Sequence, residues 1–277
     1  MAKKNQSGRL SEQQKIGEGP KTIFSENAKI LDVGVGDVSK DVYVKLSEEY
    51  PQLEFRYRTE IHKSEINEAL HNIDEDLGKT LFVENAKIKP DGGVIEVKDD
   101  SGKWRIVLVS EAKFQGKDIQ NILKGTYVGK NNDQDLMVAG NAIERAHKNI
   151  WEIANLMLSE SHFPYVIFLS GSNFITKNLI VTRPDGRQVL LDATSGALNR
   201  LDRLSAANYG MEFNKNLSKN KFVAHEDKAV MLQAASLYTK GDGSKWKYEE
   251  IFEVLMDISK TSLQMLGRDL FKQITEK

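Results

Sequence analysis

Three residues of this 277-residue chain have the types and the spacing to do chemistry together: Asp91, Glu111 and Lys113. The stretch from Lys89 to Lys113 reads as a β-hairpin. Val94, Ile95 and Val97 form one β-branched run, Asp99-Asp100-Ser101-Gly102 a tight connection, and Arg105 to Val109 a second run. Asp91 stands at the mouth of the first strand. Glu111 and Lys113 close the second strand two residues apart, hence on one face. Two carboxylates and an ammonium then converge at one end of a sheet. Phosphodiester hydrolysis needs such a set: hard oxygen ligands for a divalent cation, and a group that holds the attacking water and offsets growing negative charge. Asp91, Glu111 and the backbone carbonyl of Ala112 can supply oxygens to Mg2+, and Lys113 the positive charge. The residues alone leave a second reading open, with Asp91 as a turn former and Glu111–Lys113 as a surface ion pair.

The elements that must position this set give the fold class. Leu53 to Arg58 alternates as a strand, and Pro164 to Leu169 reads as a buried strand of parallel character. Leu179 to Arg183 and Val189 to Leu191 form a second hairpin around Pro184-Asp185-Gly186. Helices are expected over Lys21–Leu31, Lys40–Tyr50, Ser64–Leu77 (Ser64 as its cap), from Asp133 or Asp135 onward through Ile150 and Leu158, over Ala229–Tyr238 and over Tyr248–Ile274. The sum is an α/β fold: a central mixed sheet of five or more strands flanked by helices, in one domain spanning residues 1–277. Residues 1–20 carry Lys3, Lys4, Arg9 and Lys15 among polar residues, as a frayed tail or a flexible basic arm. The polar segment after Lys113, residues 116–132, is either disordered or a lobe that wraps a ligand. Gly140 and Asn141 are poor helix formers, and Asn141, Glu144, Arg145 and Lys148 share one polar stripe.

Composition bounds the function. The chain has no cysteine, which excludes disulfides and thiolate metal sites and suits a reducing cytoplasm. No signal-peptide core and no membrane span is visible. With 39 basic against 40 acidic residues the net charge is −1, so a loose electrostatic coat on nucleic acid is disfavoured, while a locally positive cleft is not. Gly34-Val35-Gly36-Asp37 resembles the glycine-rich first motif of S-adenosylmethionine-dependent methyltransferases. Asp37 replaces the third glycine, and the second motif of those enzymes finds no counterpart among the 5 prolines. A loop whose Asp37 or Ser39 caps the following helix is the simpler expectation; a DNA methyltransferase stands as the alternative function.

Pro90-Asp91 followed by Glu111-Ala112-Lys113 is similar to the signature of the PD-(D/E)xK nucleases. Longer stretches resemble the EcoRI-type type II restriction endonucleases: Pro90-Asp91-Gly92-Gly93, Asp135 to Arg145, Ser159 to Tyr165, Asn199 to Leu204 and Leu266 to Leu270. The resemblance covers nearly the whole chain. It implies a homodimer that cuts a palindromic double-stranded DNA, expected GAATTC, leaving 5′ overhangs with Mg2+ as cofactor. It implies cleavage by Asp91, Glu111 and Lys113, and base recognition by Met137, Val138, Ala139, Gly140, Asn141, Ala142, Glu144 and Arg145, with Arg200 and Arg203 extending it. Lys89, Lys148 and Asn149 would touch phosphate, and residues 116–132 and 176–192 would be arms that embrace the duplex. Two departures stand out: Val138 where the family has alanine, and Phe114 where it has histidine. The first bears on how stringently the target is read.

Overall fold

The computed structural model describes residues 26–79, 85–129, 131–138 and 142–267, the side chains of residues 26–33, 142 and 144 excepted. The basic segment 1–20, the expected helix start at Lys21 and the end of the last helix beyond residue 267 fall outside them.

The first element is a single helix, α1 (Glu26–Glu49), and this corrects the sequence reading. Gly34 to Asp37 is neither a loop nor a strand end but lies within the helix, so the turn that a cofactor-binding motif requires is absent there. Val35, Val38, Val42 and Leu46, spaced three and four apart, are all buried. Seating that stripe outweighs the roughly 1 kcal/mol that each glycine costs a helix. Gly36 also faces the turn that carries Asp91: a Cβ there would stand 3.4 Å from the Asp91 carbonyl oxygen.

Next come β1 (Phe55–Arg58) and β2 (Ile61–His62). Then α2 (Lys63–His71) begins one residue earlier than expected, because the Glu65 carboxylate accepts the His62 N–H at 2.8 Å and closes its first turn. It stops at His71, and Ile73 and Leu77, expected on its apolar face, are exposed. β3 (Lys87–Ile88) pairs with β2. The hairpin β4 (Gly93–Lys98) and β5 (Trp104–Phe114) forms as its sequence dictates. A short α3 (Asp118–Leu123) follows, and α4 (Ala142–Leu156) is shorter than the helix expected from Asp133 or Asp135. Residues 135–138 are held out of helix by side chains: the Met137 N–H donates to Asp118 Oδ1 at 2.9 Å instead of to a backbone carbonyl. Then come β6 (Tyr165–Ser170), the second hairpin of β7 (Leu179–Thr182) and β8 (Gln188–Leu191), and α5 (Leu201–Ala207). β9 (Lys221–His225), β10 (Lys228–Leu232), β11 (Ser236–Thr239) and α6 (Tyr248–Met265) complete the chain. The expected helix over Ala229–Tyr238 is therefore two strands. Its apolar residues fit either period, and the open edge of β6 selects the strand, since β11 pairs with it from Ser236 to Thr239.

The central sheet has five strands in the order β1-β4-β5-β6-β11. The β1/β4 and β4/β5 pairs are antiparallel, β5/β6 and β6/β11 parallel. Alternation along β5 and β6 divides the core. Leu108, Ala112, Phe114, Val166 and Phe168 face α1 and α6, while Val109, Tyr165, Ile167 and Leu169 face α2 and α4. The segments expected as two separate arms share a third small core in which Ile122 of α3 and Leu136 meet Val181, Val189 and Leu191 of the β7–β8 hairpin.

Candidate active site and nucleic-acid interface

The register of the first hairpin brings the catalytic candidates together. Gly93 pairs with Ser110 across β4 and β5, so the chain two residues before Gly93 lies level with Ala112. β5 continues to Phe114, paired from Glu111 onward only with β6. Asp91 occupies the space thus left beside the end of β5. Its turn is closed by the Gly93 N–H on the Pro90 carbonyl at 3.0 Å and the Gly92 N–H on the Ser110 carbonyl at 2.9 Å. Gly93 has φ +78°, and a Cβ there would stand 2.6 Å from the Tyr57 hydroxyl, so glycine is required.

Glu111 and Lys113 lie on the same face as Val109, beneath α4. The Lys113 ammonium pairs with Glu111 Oε1 at 2.5 Å and with Asp91 Oδ2. Glu111 is buried, 1% exposed. Its Oε2 accepts the Tyr165 hydroxyl at 2.6 Å, and the Asn149 amide lies 3.3 Å from both its oxygens. Burial, partly offset by Lys113 and reinforced by Asp91, pushes the Glu111 carboxyl above its ordinary range. Burial pulls on Lys113 the other way, but the two carboxylates prevail and hold the ammonium above the usual lysine value. Tyr165, wholly enclosed and facing Glu111, is kept well above the usual phenol range, so its hydroxyl is a donor at any working pH.

The donor set suits a hard divalent cation. Asp91 and Glu111 bring two carboxylates against one ammonium, and the surplus negative charge is one that a cation would neutralise. Among the described residues no group of three or more acidic, histidine or cysteine side chains could hold an ion. A cation here would thus rest on the two carboxylates, a backbone carbonyl such as that of Ala112, solvent and substrate.

The expected DNA-contacting residues differ in exposure. Met137 is half-buried, and Val138 is 71% exposed. Arg145 and Lys148 lie on the outer face of α4, Lys148 with Glu152 at 3.8 Å. Ala139, Gly140 and Asn141, with the side chains of Ala142 and Glu144, lie outside the described residues. Arg200 is buried and donates to the Gly196 carbonyl at 2.7 Å, while Arg203, three residues on, is exposed. Lys89 is exposed and pairs with Glu60 at 3.3 Å. Asn149, expected on phosphate, has its amide 3.3 Å from both Glu111 oxygens. Phe114, one of the two departures, is buried against α1 and α6, on the opposite face from Lys113.

Sequence reasoning passed over Tyr165. Its signal was a tyrosine in an otherwise apolar buried strand, whose hydroxyl must find a partner. It also passed over Asp118 and Arg183, both buried and charged. The cavities described in the structure are lined by none of Asp91, Glu111 and Lys113. One of about 400 Å3 is lined by Arg56, Arg58, Glu96, Arg105 and Glu160, whose charges pair with one another.

Comparison with known proteins identifies the family. A family model described as restriction endonuclease EcoRI matches residues 17–273. The chain is 65% identical over 277 residues, the full length of both, to the type II restriction enzyme EcoRI of Escherichia coli. It is 48% identical over 267 residues, 96% of each, to the type II restriction enzyme RsrI of Cereibacter sphaeroides.

Proposed function

The chain belongs to the EcoRI family and is a type II restriction endonuclease, and from that premise we propose that a homodimer of it cuts duplex DNA at GAATTC with magnesium, through Asp91, Glu111 and Lys113. The observation that carries this reading is the meeting of two carboxylates on one ammonium at the open end of β5. Magnesium, held by Asp91, Glu111 and the Ala112 carbonyl, would supply neutralisation of the scissile phosphate. Lys113 would hold the attacking water by a hydrogen bond and offset the charge that builds as the phosphorus–oxygen bond breaks. Tyr165 and Asn149 fix the Glu111 carboxylate, so that its oxygens need not reorganise during the reaction.

The segment from Met137 to Arg145 would enter the major groove. There Asn141 and Arg145 pair with purine edges and Glu144 accepts from base amino groups, with Arg200 and Arg203 in support. Lys89 and Lys148 would position the phosphate backbone, and the lobe built from residues 116–132 and 176–192 would enclose the duplex. The whole chain would act as one nuclease domain in the cytoplasm; no helix among the described residues is long and apolar enough to cross a membrane.

A palindrome is read most economically by a two-fold symmetric protein. Large apolar side chains are exposed, among them Trp151 on α4 (57% exposed) and Tyr209 (47%), which line one groove with His147 and Gln233, and Phe222 (64%), which stands out on the β9–β10 hairpin.

Digestion of a plasmid of known sequence with magnesium, followed by sequencing of the fragment ends, tests the reading. Fragments ending in 5′ overhangs at GAATTC, and none with chelator, are expected; intact plasmid, or ends at unrelated sequences, would overturn it.

A further inference from the structure

The stretch that leads into the base-reading segment is fastened by groups outside the catalytic trio. Arg183 Nη1 and Arg187 Nη2 both lie 2.7 Å from Asp135 Oδ1. Both arginines belong to the turn of the β7–β8 hairpin, where the Arg183 N–H donates to the Arg187 carbonyl at 2.8 Å. The Arg183 guanidinium lies 3.9 Å from the centre of the Tyr127 ring, and Arg187 donates to the Tyr127 hydroxyl at 3.2 Å. Leu136 then enters the small core shared with the hairpin. At Met137 the backbone N–H is taken by Asp118, whose other oxygen accepts the Ser172 hydroxyl at 2.5 Å. Three successive residues are thus tied to two different parts of the lobe. The central cation is buried: Arg183 is 3% exposed. An exposed ion pair of this kind would contribute little, but a buried charge tolerates neither loss nor misplacement of its partner.

We propose that Arg183 is a positioning residue for sequence reading: through Asp135 it sets the path of residues 135–138, so that the β7–β8 hairpin and the reading segment engage DNA as one body. This rests on the reading of Met137 to Arg145 as the segment that enters the groove. Arg183 reaches no substrate in this role; it acts on the residues that do.

The test compares binding to two 20-base-pair duplexes, one containing GAATTC and one with a single pair of that site changed, with calcium in place of magnesium to prevent cutting. Arg183→Lys keeps the charge but loses the planar two-sided contact with Asp135 and the Tyr127 ring. It should narrow the affinity ratio between the two duplexes about tenfold or more, the order of one base contact, when measured at a temperature where circular dichroism shows the variant folded. Should that variant fail to fold, Tyr127→Leu, which removes only the supporting ring, should narrow the ratio in the same direction. An unchanged ratio, or an equal fall in both affinities, overturns the proposal and leaves Arg183 a role in stability alone. A wild-type protein that bound both duplexes equally would instead overturn the target assignment on which the proposal stands.

Discussion

Replacing Tyr165 by phenylalanine removes one oxygen atom and little else. The ring stays in a fully buried site, stacked on Phe163 with centroids 5.9 Å apart, so the core loses no apolar contact. What goes is a 2.6 Å hydrogen bond to Glu111 Oε2. A hydrogen bond to a charged partner contributes about 1.5–3 kcal/mol, which corresponds to roughly 10- to 150-fold in rate or affinity. Asn149 offers only partial replacement at 3.3 Å. Outer-sphere partners of metal-ligating carboxylates lose about 10- to 100-fold when removed, the same range from an independent direction. The assay is single-turnover cleavage of a duplex containing GAATTC across a magnesium titration, with cation binding measured separately by calorimetry. Weaker magnesium binding and slower cutting are expected, with affinity for the duplex preserved. If Tyr165→Phe bound magnesium and cut as the wild type does at every concentration, Glu111 would need no fixing and the reasoning would fail.

Arg145→Lys should lose sequence discrimination while retaining non-specific binding, because an ammonium cannot replace a two-pronged guanidinium; unchanged fragment patterns would count against it. Gly93→Ala should lower both melting temperature and cutting, since its Cβ would stand 2.7 Å from the Arg58 carbonyl in a left-handed backbone; a fully active protein would show that the Asp91 turn tolerates displacement. His162 is buried, bonded through Nε2 to the Ile106 carbonyl at 2.8 Å, and burial lowers its pKa. The unfolded chain takes up its proton near pH ~6.5. The stability it contributes is therefore complete above that pH and is lost as pH falls. The melting temperature should drop more steeply on acidification in wild type than in His162→Gln, and equal slopes would refute this.

Much of the centre was legible in the sequence because hairpins are local. The β-branched runs on either side of Asp99–Gly102 fixed which residues of β5 share a face, and register then brought Asp91 beside Lys113. What remained hidden depended on distant partners. Gly34 and Gly36 look like a loop until the buried stripe of Val35, Val38, Val42 and Leu46 is seated on the sheet. Asp135 to Val138 read as helix because nothing local announces that Asp118 and Arg183 claim their polar groups. Ala229 to Tyr238 is equally apolar in either period, and only the free edge of β6 decides for strand. Asn149 lies off the polar stripe of Asn141, Glu144, Arg145 and Lys148, and nothing local announces that its amide meets Glu111. Such outcomes follow from tertiary neighbours that no window of sequence contains.

The most direct test of the central claim is Lys113→Ala, followed by single-turnover cleavage and binding on the same GAATTC duplex. Lys113 touches both Asp91 and Glu111, so the account predicts that cutting is abolished while specific binding persists. Cleavage at near wild-type rate by that variant would contradict it.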